Sequence, residues 1–148
     1  MDKIKVLFVC VHNSARSQIA EAFLNGIAGD KFAAESAGLE PGTLNPVVVE
    51  VMLEEGVDIS GNVTKSVAAM LEEGRTFDFI VAVCDGANAE RCPVFPGSRE
   101  KIHWEFDDPS AVTGTDDEKE EKVKIIRDQI KNKVEAWGRE VVEETEGS

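Results

Sequence analysis

Cys10 stands six residues before Arg16, in the stretch VCVHNSARSQIAEAF that spans 9–23. An ionised cysteine is a nucleophile, and an arginine offers a planar fork of donors that matches two oxygens of a tetrahedral oxyanion. The residues between them, Val11, His12, Asn13, Ser14 and Ala15, are mostly small or polar. A loop of that kind can wrap an anion closely with its backbone N–H groups, and the helix that follows adds its positive end. Cys10 then lies at the floor of an anion cradle whose donors, with Arg16, favour the thiolate. The Ser17 hydroxyl, just past the arginine, is placed to donate to that sulfur. An oxygen leaving such a centre needs a proton. The segment EFDDPSA offers Asp107 and Asp108, with Asp108 biased to extended backbone by Pro109. An Asp-Pro step is also an ordinary turn signal.

The elements that must hold these residues read as alternating strands and helices. KIKVLFV (3–9) is a buried strand, and 17–28 is a helix with Ile19, Ala20, Phe23, Leu24 and Ile27 on one face. KFAAESAG (31–38) is a second strand. Asn45 caps a helix with Pro46 in its first turn that stops at Gly56, and a short helix covers Ser66 to Glu73. FDFIVAV (77–83) is a third strand ending at Cys84, and 85–98 is a Gly/Pro-rich loop with room for one helical turn. EKIHWEF (100–106) is a fourth strand, and Thr115 begins a long helix with Val123, Ile126, Ile130, Val134 and Trp137 as its apolar stripe. The pattern predicts an α/β fold: a three-layer sandwich whose central four-stranded parallel sheet is flanked by helices. Ligands of such sheets bind beyond the carboxyl ends of the strands, where Cys10 and Cys84 both fall.

Length and charge narrow the functions. The chain of 148 residues suits one domain, 1–148, and its net charge of −13 argues against a nucleic-acid or anionic-membrane partner. Any anion must therefore be held by local devices. The early apolar run is too short to span a bilayer, and with no export-type segment the expected location is the cytoplasm. Three cysteines, Cys10, Cys84 and Cys92, do not form a structural disulfide framework. No spacing suits a metal, so neither a metal nor a cofactor is expected.

CVHNSARS, with DDP far downstream, resembles the low-molecular-weight protein tyrosine phosphatase fold. SAGLEPGTLNP, EEGVDIS and CDGANAERCP followed by HWEFDDP are similar to the thioredoxin-coupled arsenate reductases built on that fold, and the resemblance runs from about residue 3 to residue 135. It implies that the loop Val11–Arg16 holds arsenate, with phosphate and sulfate as competitors. Cys10 attacks the arsenic and Asp108 protonates the leaving oxygen. Cys84 then attacks Cys10, Cys92 attacks Cys84, and thioredoxin reduces the Cys84–Cys92 disulfide on an exposed, mobile 85–98 loop. The expected protein is a monomer. The electron count agrees independently: arsenic(V) to arsenic(III) takes two electrons, which one dithiol supplies.

Three departures from that pattern stand out. Ala15 occupies a loop position that is cysteine in the best-known members, and seven residues separate Cys84 from Cys92, one more than in close relatives. Some members bind potassium beneath the loop through an asparagine, a glutamate, a serine and an aspartate. Asn13, Glu21 and Ser36 match, but Lys65 stands in the aspartate position, so its ammonium is expected to replace the ion. Two other readings compete. A phosphatase of this fold would need Cys10 alone and usually carries tyrosines after DDP, whereas this chain has none. A redox sensor would use the thiols without turnover, but would not need Arg16 or the Asp-Pro acid.

Overall fold

The computed structural model describes residues 3–146. Four strands, β1 (Ile4–Cys10), β2 (Phe32–Gly38), β3 (Phe79–Ala82) and β4 (Glu100–His103), form one parallel sheet in the order β2-β1-β3-β4. The helices are α1 (Arg16–Ala28), α2 (Pro46–Glu54), α3 (Val67–Glu72), the single turn α4 (Gly86–Ala89) and α5 (Asp116–Glu146). A 3-10 turn covers Pro109–Ala111. The expected class, strand number and parallel sense all hold.

Both faces of the sheet are covered, which is why its strands are apolar runs rather than alternating ones. On one face Val6, Phe8 and Val81 pack with Ile19 and Phe23 of α1, Val48 of α2 and the α5 stripe. On the other, Leu7, Val9 and Ile80 pack with Val67, Met70, Phe77, Cys92 and Phe95. Helix starts follow their caps. Asn45 Oδ1 accepts from the N–H groups of Val47 and Val48, and Thr115 and Glu118 cap each other's backbone at the mouth of α5. Gly56 and Gly74 follow α2 and α3 at positive φ, where a side chain would be strained.

Two strands are shorter than expected. β3 starts at Phe79 rather than Phe77, because Phe77 turns into the second cluster and packs edge-on against Phe95. β4 stops at His103 rather than Phe106, although the Trp104 N–H still reaches Ala82 O. The chain then leaves the sheet, and Phe106 O accepts from the Arg16 guanidinium at 3.1 Å. The segment read as strand is thus the arm that carries Asp108 to the site.

Candidate active site

The first strands to either side of β1 are β2 and β3, so the chain reverses its direction of winding between β1 and β3. That is the crevice in which open α/β sheets bind ligands. A cavity of about 210 Å³ opens there, lined by Cys10, the following loop, Arg16, Asp85, Asn88, Asp108 and Ser110. α1 begins beneath it with no side-chain cap and no acidic residue in its first turn. Its first N–H groups are therefore left for an anion rather than for a capping oxygen.

The cradle is held from below by Asn13. Its φ of 54° bends the loop, a conformation asparagine tolerates better than most residues. Its side chain is fully buried: Nδ2 donates to Ser17 Oγ at 2.8 Å, and Oδ1 accepts from Lys65 N at 2.9 Å and Gln18 Nε2 at 3.2 Å. Gln18, also fully buried, donates to Asn13 O at 3.1 Å and accepts from Asn62. Gly38, ending β2, completes the support: a Cβ there would meet the backbone of Val11, His12 and Asn13 at 2.8–2.9 Å.

Cys10 Sγ lies 2.8 Å from Ser17 Oγ and 3.2 Å from the donating N–H of Asn13. Ser17 has one proton, and it already accepts from Asn13, so that proton is free to point at the sulfur. Two donors on one sulfur suit an acceptor, which a thiolate is. Arg16 is 7% exposed yet reaches the cavity, held by Phe106 O and by Asp108 at 3.9 Å. Asp108 has the turn role its sequence context allowed and also borders the cavity. Its Oδ1 accepts from Ser110 N at 2.9 Å as a turn cap, and the carboxyl faces the cavity that Cys10 floors.

Placement differs from expectation at several residues. The cavity is walled by Val11, His12, Ser14 and Ala15, but Asn13 and Ser17 lie beneath it, and the Asn13 N–H serves the Cys10 sulfur. His12 lines the cavity, and its ring Nδ1 is engaged with Glu40 O at 2.9 Å. Lys65 Nζ sits 3.7 Å from Glu21 Oε1, which also accepts from Ser36 Oγ. Burial pushes the Glu21 carboxyl up, and the nearby Lys65 ammonium opposes that. Asp85, Asn88 and Ser110 were not singled out by sequence. Asp85 follows Cys84 directly, and that adjacency was the available signal.

All three cysteines are free and buried. Val83 N donates to Val9 O, so Cys84 lies one residue beyond the level of Cys10 on the neighbouring strand. Both belong to the same core cluster. Burial, the larger cause, and the negative charge of neighbouring Cys10 and Asp85 push the Cys84 thiol up to about 11, against the pull of Arg16. Cys92 is 4% exposed and packs in the cluster on the opposite face of the sheet, which raises its thiol as well. Apolar packing around Leu7, Met70 and Phe95 covers the free Cys92 thiol, so the exposed setting expected of a Cys84–Cys92 disulfide requires this segment to move. Among the described residues no cluster of three or more His, Cys, Asp or Glu is placed for a metal, and no helix is long and apolar enough to cross a membrane.

Residues 5–146 match the model of the low molecular weight phosphotyrosine protein phosphatases. The chain belongs to that family. Among its relatives, the arsenate reductase of Halalkalibacterium halodurans is 36% identical over 93% of this chain and 96% of its own length. A solved thioredoxin-dependent arsenate reductase of Corynebacterium glutamicum superposes with a TM-score of 0.72 at 31% identity, over 94% of this chain and 62% of that one. A solved arsenate reductase in its phosphate-binding state gives 0.71 at 29% identity, over 90% and 95%. Within the family, these relatives place the chain beside the arsenate-reducing members.

Proposed function

We propose that this protein reduces arsenate to arsenite by a three-cysteine relay, with thioredoxin as the reductant. The observation that carries the reading is a second buried, free thiol, Cys84, set one residue beyond Cys10 on the adjacent strand, with Cys92 a short segment further on. A hydrolase acting through Cys10 has no use for either. The relatives named arsenate reductase, one of them thioredoxin-dependent, support the substrate and the partner.

The cradle and Arg16 hold the oxyanion with its arsenic over Cys10. The Cys10 thiolate, kept by Ser17 and the Asn13 N–H, forms a bond to arsenic. The displaced oxygen takes a proton from Asp108 and leaves as water. Cys84 then attacks the Cys10 sulfur. The electron pair of the sulfur–arsenic bond stays on arsenic, which departs as arsenite, and a Cys10–Cys84 disulfide remains. Cys92 attacks Cys84, freeing Cys10 as thiolate and leaving a Cys84–Cys92 disulfide for the reductant. Because Cys92 starts on the other face of the sheet, that last exchange requires the segment carrying it to leave its pocket.

The test is arsenate-dependent NADPH oxidation with thioredoxin and thioredoxin reductase. Wild type should turn over steadily, and Cys92→Ser should stop after at most one turnover. No response to arsenate, with hydrolysis of an aryl phosphate that survives Cys92→Ser, would make the protein a phosphatase.

A further inference from the structure

The turn between Cys84 and Cys92 is built into the wall of the oxyanion cavity. Asp85 and Asn88 line that cavity together with Arg16 and Cys10. The same two residues hold α4 shut. Asp85 Oδ1 accepts from the Asn88 N–H at 3.0 Å, and Asp85 Oδ2 accepts from Asn88 Nδ2 at 2.8 Å. From Asn88 the ties run outward. Asn88 Oδ1 accepts from Arg91 at 2.9 Å, and Arg91 reaches Glu40 Oε2 at 2.8 Å. Arg91 is the residue before Cys92. A helix of four residues is held by few groups, here its cap, buried Ala89 and the Arg91–Glu40 pair, so loss of the capping carboxylate weakens it markedly.

Charge makes the cap sensitive to what occupies the cavity. Hydrogen bonds from Asn88, aided weakly by Arg16, hold the Asp85 carboxyl below its usual range, so it is ionised at neutral pH. Among the described residues, Arg16 is the one cationic side chain lining the cavity, which it shares with the Cys10 sulfur and with Asp108, 3.9 Å from it. A bound dianion takes up Arg16 and adds two negative charges beside Asp85, and the carboxylate is then repelled. We propose that Asp85 is a positioning residue that couples the oxyanion cavity to Cys92: a dianion on Arg16 displaces the Asp85 carboxylate, uncaps α4 and frees Cys92 from the far face of the sheet. The second resolving thiol is thereby released only when there is substrate to reduce. This inference rests on the oxyanion-site reading above and adds the direction of the coupling.

Pulse alkylation of the reduced full chain with iodoacetamide, with and without saturating inorganic phosphate, tests it. Trypsin places each cysteine in its own peptide: 6–16 for Cys10, 76–91 for Cys84 and 92–99 for Cys92. In wild type, phosphate should slow labelling of Cys10 and speed labelling of Cys92 about fivefold, the change that loss of one cap corresponds to. Asp85→Asn keeps a capping oxygen and removes the charge, so phosphate should still protect Cys10 but no longer speed Cys92. Asp85→Ala should label fast at Cys92 with or without phosphate. Cys10 protected while Cys92 is unchanged or slowed would overturn the coupling and leave the site reading standing, whereas an unprotected Cys10 would overturn both. An acceleration that survives Asp85→Asn, or an Asp85→Ala chain that labels no faster than unliganded wild type, would also refute it.

Discussion

Ser17 and the Asn13 N–H aim two donors at the Cys10 sulfur, and only the serine's can be removed by substitution. Ser17→Ala should slow alkylation of Cys10 at pH 7 about tenfold, the lower end of what a charge-assisted hydrogen bond contributes. An unchanged rate would mean that the N–H and Arg16 suffice. A second residue-scale expectation concerns Lys65, whose ammonium already pairs with half-buried Glu21 beneath the cradle. Steady-state turnover should be the same in potassium and sodium salts of equal ionic strength, and a clear rise in potassium would show that the lysine does not fill the cation position. Cys10, Arg16 and Asp108 were legible in the sequence because their chemistry is intrinsic and one short loop fixes the first two. Gln18 and Gly38 were not. A glutamine in a helix and a glycine closing a strand carry no chemical signature until the fold sets them against the loop.

At the scale of elements, β1 and β2 run in register to their last residues, so Cys10 faces Gly38 across the sheet. The loop after Cys10 then folds over Gly38, close enough that a methyl group would strike three backbone positions. Gly38→Ala should therefore distort the cradle more than it unfolds the protein. Phosphate protection of Cys10 should weaken at least tenfold while the far-ultraviolet circular dichroism stays native, and undiminished protection would show that the loop yields. Strand and helix existence were readable from apolar period and caps. The ends of β3 and β4 were not, because tertiary partners decide them: Phe77 leaves for Phe95, and Phe106 gives its carbonyl to Arg16.

Across the whole molecule, the three thiols lie on two faces of one sheet, and that arrangement shapes both stability and turnover. Cys84 is raised to about 11 in the folded chain against an ordinary 9.0. Between those values the unfolded chain has lost the proton and the folded chain keeps it, so stability is intact below about pH 9 and falls as pH rises toward 11. Urea unfolding under reducing conditions should show a loss on the order of 2 kcal/mol from pH 8.5 to pH 10.5. The loss should be smaller in Cys84→Ala, and an equal loss there would place the alkaline sensitivity elsewhere. That Cys92 starts buried on the opposite face was beyond the sequence, since a Gly/Pro-rich segment does not announce which side of a sheet it packs on. The relay itself is tested most directly by one stoichiometric turnover: reduced protein, one equivalent of arsenate, no reductant, then disulfide mapping with arsenite counted. The account predicts one arsenite per chain, a Cys84–Cys92 disulfide and a free Cys10. Arsenite formed with Cys92 still free, or no arsenite at all, would contradict it.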